Sequence, residues 1–183
     1  SHPADKLGLI LDEKGQPFEP TGHISRVIED DGKIKLYLGA ESVFVIESDD
    51  GIHFRRTGVT ITGGIFTTIF VDPHDTPERR YKVFWIQGFG PEPKDTDGIY
   101  AGYSADGIHF TKVGRVMPLV NDNPTNVYWD ERIGKYVIFT RAFAQHSENQ
   151  RRIGRIETDD VLKPWPYNTS ANNHHQRRIT PNH

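Results

Sequence analysis

The chain has 183 residues, 35% of them hydrophobic and 11% aromatic, with a formal net charge of −3. That length suffices for one domain with a sizeable core. The charge offers no basic excess for a nucleic-acid backbone, and no run of 18 apolar residues exists to cross a membrane as a helix. The chain contains no cysteine, which excludes disulfides and thiolate metal sites. That absence fits a bacterial cytoplasm and a secreted protein equally. The mean hydropathy of −0.62 matches a soluble, loop-rich β protein.

Residues 1–18 form an N-terminal segment with one apolar stretch, Leu7-Gly8-Leu9-Ile10-Leu11. It reads either as an outer strand of a neighbouring sheet or as an ordinary edge strand. No secretory leader is recognisable. A first group of strands is expected at His23–Ile28, Lys33–Ala40, Val43–Glu47 and His53–Arg56. A second group is expected at Phe66–Val71, Tyr81–Gln87, Ile99–Tyr103 and His109–Val113. A third begins at Asn126–Trp129 and continues through Lys135–Arg141 and Arg152–Glu157. Apolar residues alternate in Ile34-Leu36-Leu38, Val83-Trp85 and Val137-Phe139, the period of a half-buried strand. Asp-Gly pairs between strands signal hairpins, because glycine takes the positive φ such a turn needs. No segment has a helical period. Residues 167–183 are rich in Asn, His and Arg, supply no further strand set and read as a disordered tail.

One phrase occurs twice. Residues 48–54 read Ser-Asp-Asp-Gly-Ile-His-Phe and residues 104–110 read Ser-Ala-Asp-Gly-Ile-His-Phe. A weaker third copy is Thr158-Asp159-Asp160-Val161-Leu162-Lys163-Pro164-Trp165. A period of roughly 50 residues filled with short strands is the mark of a β-propeller, in which each repeat is one four-stranded blade. The expected fold is therefore all-β: a propeller-type array of about three four-stranded antiparallel blades over residues 19–166. The repeats fall at about 19–58, 59–116 and 117–166.

These turns resemble those of the five-bladed propeller glycoside hydrolases of families 32 and 43. So do Phe70-Val71-Asp72-Pro73 with Glu78-Arg79-Arg80-Tyr81-Lys82, and Asn126-Val127-Tyr128-Trp129-Asp130 with Gly134-Lys135-Tyr136-Val137. The run Arg151-Arg152-Ile153-Gly154-Arg155 belongs to the same pattern. The resemblance implies a carbohydrate site at the propeller's central cleft and no cofactor. Those families have five blades, whereas this chain offers about three. Self-association, in which copies complete the blades, is the expected remedy for the exposed sheet faces.

In such propellers the site lies where the chain leads into each first strand and where the second strand passes to the third. There Asp122 and Glu19 are the candidate catalytic carboxylates. Asn126, His23, Arg141, His146 and Glu148 are candidate substrate contacts. Asp72 resembles the Arg-Asp-Pro aspartate of family 32, but the repeats align it with Asp30 and Asp130 in turns at the opposite end. There it reads as a turn cap. Glu92, Asp95 and Asp97 in the 88–98 loop read as solvated, and His53 and His109 as sharing a packing role. The lead-in to the second repeat, Thr62-Gly63-Gly64, carries no carboxylate. A glycosidase needs an acid and a base or nucleophile at a set separation. The alternative is a non-catalytic carbohydrate-binding or assembly module.

Overall fold

The computed structural model describes residues 8–18, 24–39, 42–62, 64–88, 94–118, 125–143, 151–166, 168–169 and 179–180. These are almost wholly β, with a single 3₁₀ turn at Pro77–Arg79. The first sheet comprises β1 (Ile24–Asp30), β2 (Lys33–Gly39), β3 (Ser42–Ser48) and β4 (Arg55–Thr62). The second comprises β5 (Ile65–Val71), β6 (Tyr81–Gln87), β7 (Gly98–Ser104) and β8 (Thr111–Met117). Both are antiparallel meanders in chain order. The third holds β9 (Asn126–Asp130), β10 (Lys135–Phe143) and β11 (Arg151–Thr158), with β10 in the middle. Within the segment expected to be disordered, β12 (Asn168–Thr169) pairs with β13 (Ile179–Thr180), and β13 lies beside β10.

Two details differ from the sequence reading. Among the described residues the third sheet has three strands, not four. Pro164 and Pro166 flank Trp165 and remove two ladder donors. Trp165 instead turns back, donating its N–H to the Val116 carbonyl of β8 at 2.8 Å and its indole Nε1 to Val161 O at 2.8 Å. The fourth strands also start later and run further than the Asp-Gly signal suggests. The turn is a wide loop whose aspartate ties down residues as far as the histidine, so Ile52 and His53 belong to the turn.

The first strands carry the relation between the sheets: β5 lies against both β1 and β9. They also run in one direction. The last residue of β1, Asp30, meets Tyr81 at the start of β6, and β6 pairs there with the end of β5. Asp72, just after β5, meets Tyr136 at the start of β10 in the same way. Alternation along each strand gives every sheet a face toward its predecessor and a face toward its successor. Tyr37, Val43 and Val45 of the first sheet meet Ile69, Tyr81, Val83 and Trp85 of the second. Phe84, Ile86 and Ile99 on the other face of the second sheet meet Val127, Tyr136, Ile138 and Trp165. Each large side chain buried in these seams stabilises by roughly 1.5–3 kcal/mol relative to exposure. Apart from the Trp165 bond no described backbone hydrogen bond joins the sheets, so side-chain burial holds the array together.

Residues 8–18 take up part of the first sheet's outward face. Leu11 donates to Ile52 O at 2.8 Å and accepts from Phe54 N at 2.7 Å. Ile10 and Phe18 pack on Leu36, Leu38, Ile46 and Phe54, and the Arg56 guanidinium lies 5.1 Å from the Phe18 ring centroid.

Candidate functional site

The antiparallel meanders sort their connections onto two ends. The turns from first to second strand and from third to fourth strand lie at one end, the turn end. The starts of the first strands and the ends of the second strands lie at the other, the lead-in end.

At the turn end the repeated phrase builds the same object twice. Ser48 Oγ donates to Asp50 Oδ1 at 3.0 Å and accepts from the N–H groups of Asp50 and Gly51 at 3.2 and 2.8 Å. Asp50 Oδ1 accepts from Ile52 N and His53 N at 2.8 Å each, and its Oδ2 meets His53 Nδ1 at 2.8 Å. Ser104, Asp106, Gly107, Ile108 and His109 repeat every one of these bonds at 2.7–3.1 Å. Bonding from His53 and the following backbone holds the Asp50 carboxyl well below the usual carboxylate range. At Asp106 burial pushes the other way, and the bonds from His109, Ile108 and Ser104 outweigh it. The two imidazoles are exposed, 49% and 74%. Their shared role is therefore hydrogen bonding to the turn aspartate, which corrects the packing role expected for them. The third copy keeps only the core of the turn, with Leu162 N donating to Asp160 Oδ1 at 3.0 Å.

The aspartates that end the first strands form inter-sheet locks that the sequence reading missed. The Tyr81 hydroxyl donates to Asp30 and accepts from Lys35 Nζ at 2.9 Å, while Arg80 Nη2 lies 2.5 Å from Asp30 Oδ1. One sheet on, the Tyr136 hydroxyl donates to Asp72 Oδ2 at 2.6 Å. Lys82 Nζ sits 3.0 Å from Asp72 and 2.8 Å from Asp75, and also donates to the Arg79 carbonyl. Asp72 and Lys82 are buried. Burial, then the bond to Asp30 or Asp72, pushes both phenols well above the ordinary tyrosine range. Burial would raise the Asp75 carboxyl as well, but the bonds from Lys82 and Thr76 N–H leave it below its usual value. The available signal was positional: Arg80-Tyr81-Lys82 and Lys135-Tyr136 both put tyrosine at the head of a second strand.

Asp130 is the third member of the series. Arg132 grips it, with Nε 2.9 Å from Oδ1 and Nη2 2.6 Å from Oδ2. That bond holds its carboxyl at about 2. A general acid or base must exchange a proton near the working pH. Asp30 and Asp72 are paired across the seams, and Asp130 is paired within its own turn.

Glu19, His23, Asp122, His146 and Glu148, candidates expected at the lead-in end, lie outside the described residues, as does Glu92. Asn126 opens β9, exposed, opposite Phe139. Arg141 stands two positions beyond Phe139 on β10, opposite Ile153. In the 88–98 loop Asp97 is buried rather than solvated: its Oδ2 accepts from Lys94 N at 2.7 Å, and Arg115 Nη1 donates to its carbonyl at 3.1 Å. Gly64, in the lead-in to β5, has φ +142° and so little room that an added Cβ would stand 2.0 Å from Ile86 O.

No family model matches the chain, and no curated protein matches it. Among solved structures a GH43 β-1,3-galactosidase is similar, with a TM-score of 0.49 and 13% sequence identity. The match covers 86% of this chain and 38% of that protein, so the chain spans well under half of its length.

Proposed function

We propose that the chain is a carbohydrate-handling protein of glycoside hydrolase type, built on a propeller-like array of sheets with its site at the lead-in end. In this reading Asp122 and Glu19 are the acid and the base or nucleophile, and Asn126, His23, Arg141, His146 and Glu148 hold sugar hydroxyls. The observation that carries it is the division between the two ends. The first-strand aspartates Asp30, Asp72 and Asp130 are all paired within the turn end. The common direction of β1, β5 and β9 puts the starts of the three first strands at the other, which supports a shared site there. Carboxylates about 5–10 Å apart there would match the spacing of glycosidase pairs.

The second reading is a binding module without catalysis. Gly64 favours it, because the lead-in to the middle sheet has no room for a side chain at that position and so offers no reacting group there.

One experiment separates the two. The protein and its Asp122→Asn variant are assayed for hydrolysis of a panel of aryl glycosides and oligosaccharides, and for binding of the same oligosaccharides by calorimetry. Hydrolysis that falls about 100-fold or more in the variant, with binding retained, is expected for an enzyme. Binding by both proteins without hydrolysis selects the module. Absence of both, or hydrolysis unchanged in the variant, overturns the site.

A further inference from the structure

Each sheet turns the same rows of side chains toward its predecessor. Ile34, Tyr81 and Tyr136 each stand opposite the residue before Asp30, Asp72 or Asp130. This places Leu36 level with Val83 and Ile138, and Leu38 level with Trp85 and Thr140. Val83 and Trp85 meet Tyr37, Val43 and Val45 of the first sheet, and Ile138 meets Phe84, Ile86 and Ile99 of the second. Among the described residues no sheet precedes the first, yet Leu36 and Leu38 are buried like their counterparts, at 5% and 0% exposed. Ile10 and Phe18 lie on them, and on Ile46 and Phe54 beside them.

We propose that residues 8–18 are an internal cap. They take the place of a preceding sheet and keep this face of the first sheet from pairing with a sheet of a second copy of the chain. Repetitive folds need such a terminating element, because the face that binds one unit will otherwise bind another.

The segment forms the cap through its own local structure. Asp12 N–H donates to Gln16 O at 2.7 Å and Phe18 N–H to Ile10 O at 2.8 Å, which closes a hairpin. Asp12 Oδ1 accepts from Lys14 N and Gln16 N at 2.8 and 2.9 Å, and Gly15 takes the positive φ of the turn, +73°. The hairpin sets Ile10 and Phe18 side by side as a cross-strand pair, and both pack on the sheet. Pro17, bridged to Leu11, has no N–H to offer a further strand.

The cap is attached more lightly than a sheet. Both internal seams place a tyrosine hydroxyl on an aspartate, but the first sheet carries Ile34 where the others carry Tyr81 and Tyr136. Leu11 makes two backbone bonds, to Ile52 O and from Phe54 N, and the Arg56 guanidinium lies 5.1 Å from the Phe18 ring centroid. With no Asp–Tyr lock, the cap opens while the sheets stay together. Opening bares Leu36, Leu38, Ile46 and Phe54 as one apolar surface.

The test uses the full chain and is independent of the carbohydrate reading. Native-state amide exchange is expected to show the Leu11 and Phe54 N–H groups exchanging together, about tenfold or more faster than the amides of β2 and β3. Sedimentation equilibrium then compares the wild type with the double variant Ile10→Asp/Phe18→Asp, whose carboxylates do not enter an apolar contact. The double variant is expected to keep its β circular dichroism and to associate about tenfold or more strongly. Adding Leu36→Lys to it is expected to remove the gain, because the lysine then stands on the bared face. Exchange of Leu11 and Phe54 at the rate of β2 and β3 overturns the proposal, as does a double variant that unfolds, since either makes residues 8–18 an inseparable part of the core. A folded double variant with unchanged association also overturns it, and so does a gain that survives Leu36→Lys.

Discussion

Replacing Tyr136 by Phe tests the inter-sheet lock at its best-defined point. The substitution keeps the ring, which is 5% exposed and contacts Trp129 edge-on at 4.9 Å, and deletes only the hydroxyl 2.6 Å from Asp72 Oδ2. Asp72 keeps Lys82 at 3.0 Å and the His74 N–H at 3.0 Å, so it stays charged and partly satisfied. The loss is that of one hydrogen bond to a charged acceptor, about 1.5–3 kcal/mol. For a domain of this size each kcal/mol lowers Tm by about 2–4 °C, so a drop of about 3–12 °C is expected. Removing the cation instead, Lys82→Met, leaves the buried Asp72 without its ion pair while Asp75 keeps Arg79, and should cost more, about 3–5 kcal/mol. The assay is thermal unfolding followed by far-ultraviolet circular dichroism, with urea titration as a second measure. Tyr128→Phe, at an exposed hydroxyl, serves as the control and should change stability by less than about 0.5 kcal/mol. If Tyr136→Phe moves Tm no more than the control does, the Asp–Tyr pairs are geometric accidents and the account of the seams is wrong.

Two further outcomes follow from the same geometry. Burial comes first in holding the phenols of Tyr37, Tyr81 and Tyr136 above the ordinary tyrosine range, followed by the nearby Tyr81 at Tyr37 and by the bonds to Asp30 and Asp72 at Tyr81 and Tyr136. A raised folded pKa favours folding below about pH 10 and withdraws that support as the pH climbs through the folded value. Ultraviolet difference absorbance should therefore show these three ionising only as the sheets come apart, and ionisation of all seven tyrosines with the β signal intact would refute it. Gly32 and Gly107 share nearly the same φ, +71° and +74°, but an added Cβ meets open space at the first and stands 2.6 Å from the Tyr81 ring at the second. Alanine at either incurs about 1–2 kcal/mol for its backbone conformation. Gly107→Ala should lose clearly more on urea unfolding, and equal losses would remove Gly107 from the Tyr81 packing.

Much of the architecture was legible in the sequence, and the reasons are specific. Eleven strands stand within two or three residues of their expected starts because alternation such as Ile34-Leu36-Leu38 and the Ser-x-Asp-Gly turns are local signals. The fourth strands begin later than expected because the sequence reading starts them at His53 and His109, whereas the aspartate oxygens reach forward and hold both histidines in the turn. The third sheet's missing strand was foreshadowed by Pro164 and Pro166. The locks were not legible, because Asp30 and Tyr81 are 51 positions apart and no local pattern announces that they meet. Aligning the repeats put Asp72 at the turn end as a turn cap, and there it accepts from the His74 N–H and also forms a buried inter-sheet pairing that the alignment did not announce. Of the residues proposed for the carbohydrate site, Asn126 and Arg141 fall on described strands, and Glu19, His23, Asp122, His146 and Glu148 fall outside the described residues.

The arrangement of the locks also dictates how the molecule comes apart. The middle sheet is tied by Tyr81 to the sheet before it and by Asp72 to the sheet after it, while each outer sheet has one such tie. Stability in an array of this kind is a sum of unit terms and nearest-neighbour couplings, and the units with fewer couplings open first. Amide hydrogen exchange should accordingly be slowest in β6, which lies inside the middle sheet and supplies both Tyr81 and Lys82, and should quicken toward β1 and β11. Unfolding then proceeds inward from either side, and a single midpoint conceals at least two successive losses.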